Sequence, residues 1–166
     1  MVEMTWALLV CDGNQVFEPL KLILHNQCIT TRVAKSCGEA LLLLWGKQPP
    51  HLVFTDVHLT DGNWTDVLSL ADKSSLPINV IVVSRLMDVK LYIDAMQRGA
   101  FDFISPPFEG PDVAHVVRCA TQNILRRRLA LVKSTDSKPI PAARTEWQQA
   151  VISGLTAISS PADPDP

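Results

Sequence analysis

The stretch His51-Leu-Val-Phe-Thr-Asp56 carries the reading of this chain. Leu52, Val53 and Phe54 form a short apolar run of strand-favouring residues, and Pro49-Pro50 blocks a helix on its N-terminal side. The run stops at Asp56, after which Thr60-Asp61-Gly62-Asn63 supplies turn chemistry. A carboxylate therefore stands where a buried strand opens into a loop. In an open parallel sheet, that carboxyl-terminal edge is where ligands bind. Aspartate also caps turns at strand ends, so Asp56 gains weight only from its company. Other apolar runs in the chain end in polar residues at similar intervals.

Towards the N-terminus, Trp6-Ala-Leu-Leu-Val-Cys11 reads as a first strand without polar alternation, as expected of one buried on both faces. It ends at Asp12-Gly13-Asn14. Val16, Leu20, Ile23 and Leu24 then recur at helical spacing, with Pro19 in the first turns where proline is tolerated. Ile29 to Val33 is a second strand, expected at an edge because it carries Thr30, Thr31 and Arg32. Gly38 to Trp45 is a second helix with a broad apolar surface from Leu41 to Leu44, closed by Gly46.

Beyond Asp56, Trp64 to Leu70 predicts a third helix with Val67, Leu68 and Leu70 facing the core. Pro77 to Val83 is a fourth strand ending at Ser84, and Asp88 to Arg98 a fourth helix stopped by Gly99. Phe101 to Ile104 is a fifth strand followed by Ser105-Pro-Pro-Phe108. A long fifth helix runs from an Asp112 N-cap to about Lys133, with Val113, Val116, Val117, Ala120, Ile124 and Leu125 as its buried stripe. Strand and helix thus alternate five times. The pattern predicts an α/β fold, a doubly wound (βα)5 five-stranded parallel sheet with helices on both faces. Residues 1–131 are expected to form this domain. Residues 132–166 then read as a linker and tail, with a further helix over 145–158 and disorder from Pro161.

The bulk properties exclude several classes. The 166 residues fit one domain of ordinary size, and 47% hydrophobic with 19% charged residues is a globular composition. A net charge of −2 gives no electrostatic case for direct nucleic-acid binding. No run approaches the roughly 20 apolar residues of a membrane span. The four cysteines, Cys11, Cys28, Cys37 and Cys119, lack paired metal spacing, and no secretory signal is evident. Reduced thiols in a cytoplasm are the expectation. Arg126-Arg-Arg128 is expected to be a solvated face near a helix C-terminus rather than a nucleic-acid contact.

Set side by side, the strand ends give Asp12, Asp56, Ser84 and Ser105-Pro-Pro-Phe108. This set resembles the receiver domain of response regulators, the fold of the chemotaxis response regulator, over about residues 4–131. Val53-Phe-Thr-Asp-Val-His-Leu-Thr-Asp-Gly62 looks like the stretch around the family's phosphoacceptor. Val82-Val-Ser84 looks like its Ser/Thr strand, and Asp94 to Phe108 like its run through the fourth helix and fifth strand. The resemblance implies that Asp56 accepts a phosphoryl group, Ser84 contacts that group, and Phe103 is the switch aromatic. It further implies that Asp12, Asp56 and the backbone carbonyl of His58 hold Mg²⁺. No further cofactor is implied.

The sequence departs from the family pattern at the site. Cys11 stands where the first of two adjacent acids should be, which is expected to weaken Mg²⁺ binding because a hard ion prefers carboxylate oxygen to sulfur. Pro106 stands where a lysine should be, and proline brings neither cation nor side-chain donor. Thr60 and Trp64 replace a usual proline and glycine, so the loop after Asp56 is expected to be reshaped. Arg85 fills a position that is usually small, and its side chain is long enough to reach over the pocket.

Two functional readings remain from the sequence. In the first, the chain is a phosphorelay receiver module, no enzyme beyond its own phosphotransfer from a phosphohistidine or small phosphodonor. Its partners would be a sensor histidine kinase or phosphotransfer protein and a downstream protein target. A homodimer is expected through the fourth helix, fifth strand and fifth helix, or through the extended fifth helix with Leu129, Leu131 and Val132. Residues 134–166 are too few for a winged-helix or catalytic output domain. In the second, a pseudo-receiver binds its partners without phosphorylation. A haloacid-dehalogenase-type phosphatase would need a second Asp where His58 stands, and a flavin binder would need a phosphate loop where Asp12-Gly-Asn-Gln stands.

Overall fold

The structure, a computed structural model, describes residues 4–13 and 15–136. The linker beyond Asp136 and the helix expected over 145–158 lie outside the described residues. By its contacts the chain divides after Leu129, and Ala130 begins a second unit.

Strands and helices alternate as β1 (Trp6–Val10), α1 (Phe17–Asn26), β2 (Thr30–Ala34), α2 (Cys37–Leu44) and β3 (Leu52–Asp56). A small antiparallel hairpin follows, β4 (His58–Leu59) and β5 (Gly62–Asn63), and then α3 (Trp64–Asp72). The order closes with β6 (Asn79–Val83), α4 (Val89–Gln97), β7 (Asp102–Ile104) and α5 (Gly110–Asp136). The main sheet runs β2-β1-β3-β6-β7, and every pair in it is parallel. The expected doubly wound five-stranded sheet is therefore present, with β2 at an edge.

The apolar strands read as continuous runs because helices cover both faces of the sheet. On one face Leu8, Val10, Val53, Val80 and Val82 pack with residues of α2 and α3 such as Ala40, Leu44, Val67 and Leu68. On the other, Leu9, Phe54, Ile81 and Val83 pack with Phe17, Leu20 and Leu24 of α1 and with Val113, Val117, Ala120 and Ile124 of α5. Burying an aliphatic side chain of this size contributes about 1.5–3 kcal/mol, so these two layers dominate the stability.

Several expectations are corrected by helical geometry. The four leucines of α2 span a full turn, so only Leu44 is buried with Cys37 and Ala40, and Leu42 is 75% exposed. Trp45 caps α2, its N–H on the Leu41 carbonyl, so the helix is already closed before Gly46. In α3 the core residues are Trp64, Val67, Leu68 and Ala71, while Leu70 is only half-buried. Helix α5 begins at Gly110, which puts Asp112 in its first turn instead of at its N-cap. Leu125 faces outward. Gly99 behaves as expected: its φ of +97° ends α4, the Ala100 N–H reaching the Ala95 carbonyl and the Gly99 N–H the Met96 carbonyl.

Arg128 is the largest correction. It is buried, and its guanidinium donates to the carbonyls of Pro77, Pro49 and Pro50. The three-arginine run is helical, so its members point in different directions, and Arg128 falls on the same stripe as Ile124. Arg127 donates to Asn79 Oδ1 at 3.0 Å, and Asn79 Nδ2 donates to the Ala120 carbonyl at 2.9 Å.

Candidate functional site

The parallel register brings the strand ends to one rim. Asp56, the last residue of β3, lies opposite Val83 of β6, and Ser84 follows at once with its N–H on the Ile104 carbonyl. Val10 of β1 lies opposite Thr55, so Cys11 and Asp12 emerge beside Asp56. Asp12, Asp56, His58, Ser84, Arg85 and Asp88 together line a cleft of about 810 Å³. The predicted convergence of Asp12, Asp56 and Ser84 is present.

Each side chain is held differently. Asp56 is 6% exposed; its Oδ1 accepts the Val57 N–H at 2.7 Å, and its Oδ2 faces the Arg85 guanidinium at 4.0 Å. Arg85 remains 65% exposed, so solvent screens the pair and it contributes little to stability, under about 1 kcal/mol. Ser84 Oγ donates to the Leu86 carbonyl at 2.7 Å and accepts the Leu86 N–H at 3.3 Å. Its hydroxyl thus closes a local turn and would have to rotate to meet a ligand. Asp12 is exposed, and Cys11 beside it is buried at 2%. His58 opens the small hairpin with its side chain exposed.

The hairpin has its own anchor, which the sequence did not reveal. Asp61 at its tip accepts the N–H groups of Cys37 at 2.7 Å and Gly38 at 2.9 Å, at the N-terminus of α2. These donors hold the Asp61 carboxyl below the usual carboxylate range. Burial, reinforced by the charges of Asp61 and Asp66, pushes the Cys37 thiol up to about 11. Gly62 is tight here: a Cβ would meet Asp66 Oδ2 at 2.6 Å and Cys37 Sγ at 2.9 Å. Asn63 and Asp66 form a capping box for α3, and Trp64 turns inward at 4% exposure. The loop expected to be reshaped by Thr60 and Trp64 is thus a short ladder tied to two helices.

Phe103 lies apart from the cleft. It is buried on β7 and meets the Tyr92 ring of α4 edge-on, centroids 5.9 Å apart at 86°. Pro106 follows β7 and is half-buried, joined to Pro107 by a cis peptide bond. Among the described residues, no group of three His, Cys, Asp or Glu side chains could hold a metal ion. Nor is any described helix long and apolar enough to cross a membrane.

The comparisons with known proteins agree with this geometry. Residues 7–118 match the response regulator receiver domain family. The response regulator PilR of Pseudomonas aeruginosa is 30% identical over 103 residues, covering 62% of this chain and 23% of PilR. The transcriptional regulatory protein FixJ of Rhizobium meliloti is 24% identical over 149 residues, covering 90% of this chain and 72% of FixJ. The chain thus spans about a quarter of PilR. Among solved structures, the receiver domain of NtrX from Brucella abortus superposes with a TM-score of 0.63 at 26% identity, covering 70% of this chain and 98% of that one. A CheY-like receiver domain from Methanospirillum hungatei gives a TM-score of 0.64 at 20% identity, covering 75% and 98%.

Proposed function

The chain belongs to the response regulator receiver domain family, and on that premise we propose that Asp56 accepts a phosphoryl group and that the signal leaves through protein–protein contacts. One observation carries the reading: Asp56, 6% exposed, stands at the cleft rim and lines it together with Asp12 and Ser84. Asp56 attacks the phosphorus of a phosphohistidine on a sensor kinase or phosphotransfer protein. An oxygen–phosphorus bond forms, the phosphorus–nitrogen bond breaks, and the imidazole leaves with the electron pair and takes up a proton. The transferring group is loose, so the work is positioning and charge neutralisation. No other enzymatic activity is proposed.

Receiver domains generally bind Mg²⁺. Here the Asp12 and Asp56 carboxylates and the His58 carbonyl would hold it, with water completing an octahedron that needs only one or two carboxylates. The ion would neutralise charge on the phosphoryl oxygens. Cys11 is buried and offers sulfur where an acid would help, which supports weak binding. Ser84 Oγ, released from Leu86, donates to the phosphoryl group. Phe103, with Tyr92 against it, is the aromatic whose packing follows that hydroxyl.

The surface of α4, β7 and α5 is the proposed output face, for a downstream protein or a second copy of the chain. Val89, Tyr92, Ile93 and Met96 of α4 and Leu125 and Leu129 of α5 are all exposed there. A second reading, the phosphorylation-independent pseudo-receiver, is favoured by the buried Cys11, by Pro106 and by the closed Ser84 turn. Intact mass after treatment with acetyl phosphate and Mg²⁺ separates the two. The wild-type chain is expected to gain one phosphoryl group and Asp56→Asn none; an unmodified wild type would leave the pseudo-receiver.

A further inference from the structure

A phosphoryl group brings about −1.5 to −2 charges and three acceptor oxygens into the cleft. Its described lining already carries the carboxylates of Asp12, Asp56 and Asp88. Pro106 contributes no cation, and among the described lining residues Arg85 is the one lysine or arginine. Its guanidinium already faces Asp56 Oδ2 at 4.0 Å, while Oδ1 is held by the Val57 N–H. The side chain is 65% exposed, so it is free of tight packing and can advance as the acceptor oxygen extends into a phosphoryl group.

We propose that Arg85 is a binding residue for the phosphoryl group on Asp56, its guanidinium supplying the positive charge that Pro106 withholds. The assignment rests on the acceptor reading of Asp56. It also gives Arg85 a task the unmodified pair does not need. At 4.0 Å the guanidinium faces the carboxylate across the cleft, and a phosphoryl group adds negative charge on that same side for the cation to neutralise. The arginine comes from the residue after Ser84, so one short segment would bring both the hydroxyl donor and the cation.

The test follows phosphoryl uptake by the full chain from acetyl phosphate with Mg²⁺, read by intact mass over time. In this reaction the Asp56 oxygen–phosphorus bond forms as the bond to acetate breaks, and acetate leaves with the electron pair. Arg85→Gln keeps a polar side chain without charge, and uptake is expected to slow about tenfold or more, as when a single stabilising donor is removed. Arg85→Lys is expected to keep most of the wild-type rate. Equal rates for Arg85→Gln and the wild type would overturn the assignment while leaving Asp56 as acceptor. Equally slow Gln and Lys variants would also overturn it, because charge would then not be what matters. A wild type that takes up nothing would remove the acceptor reading and this assignment together.

Discussion

The two ends of the same sheet treat polar groups in opposite ways. At the amino-terminal floor, Arg128 and Asn79 are buried with the carbonyls of Pro49, Pro50, Pro77 and Ala120, and their hydrogen bonds tie α5 to the starts of β3 and β6. At the carboxyl-terminal rim, Asp12 and Arg85 are exposed, the Arg85–Asp56 pair stands at 4.0 Å, and the Ser84 hydroxyl bonds its own turn at Leu86. The floor is closed and structural, since removing one partner there strands buried acceptors. The rim is open, so its chemistry can change without cost to the fold. That separation lets residue types at the rim, Cys11 among them, vary while the sheet remains regular.

Arg128→Ala should break the contrast most visibly if the floor is what holds α5. Loss of a charged donor to the buried carbonyls of Pro49 and Pro50 and the half-buried one of Pro77 is expected to cost about 3 kcal/mol in chemical denaturation; a loss below about 1 kcal/mol would contradict the structural role. Asn79→Ala removes donors to Ala120 and Asn123 and an acceptor for Arg127, and is expected to cost about 1.5 kcal/mol by the same measurement. At the rim, Asp56→Asn should change stability by less than about 1 kcal/mol while abolishing phosphoryl uptake, because an amide still accepts the Val57 N–H.

Two smaller effects concern the hairpin latch between these extremes. The folded pKa of Asp61 lies below its ordinary 3.8, so its contribution is present above that value and is lost as pH falls through the folded pKa. The stability gap between wild type and Asp61→Ala should therefore hold at neutral pH and close in acid below 3.8; a gap that widens in acid would contradict the latch. Cys37 sits under the same hairpin with its thiol near 11. At pH 8 iodoacetamide should label the exposed Cys28 and Cys119 well before Cys37 or Cys11, a ranking that peptide mass mapping would check.

The sequence by itself determined the sheet and the place of the site. Uninterrupted apolar runs such as Leu52-Val-Phe and Val80-Ile-Val-Val83 can only be satisfied when both sheet faces are covered, and their polar ends then share a rim. The convergence of Asp12, Asp56 and Ser84 was legible for that reason. Helix surfaces were less so: the leucines of α2 and the arginines of α5 are runs whose members a 3.6-residue period scatters, and only packing decided that Leu44 and Arg128 go inside. Tertiary structure alone set Tyr92 against Phe103 and Asp61 on the first turn of α2, and it turned the reach of Arg85 into a pairing with Asp56. Such pairs join residues from different elements, and their contact depends on loop path and side-chain direction, which local pattern does not encode.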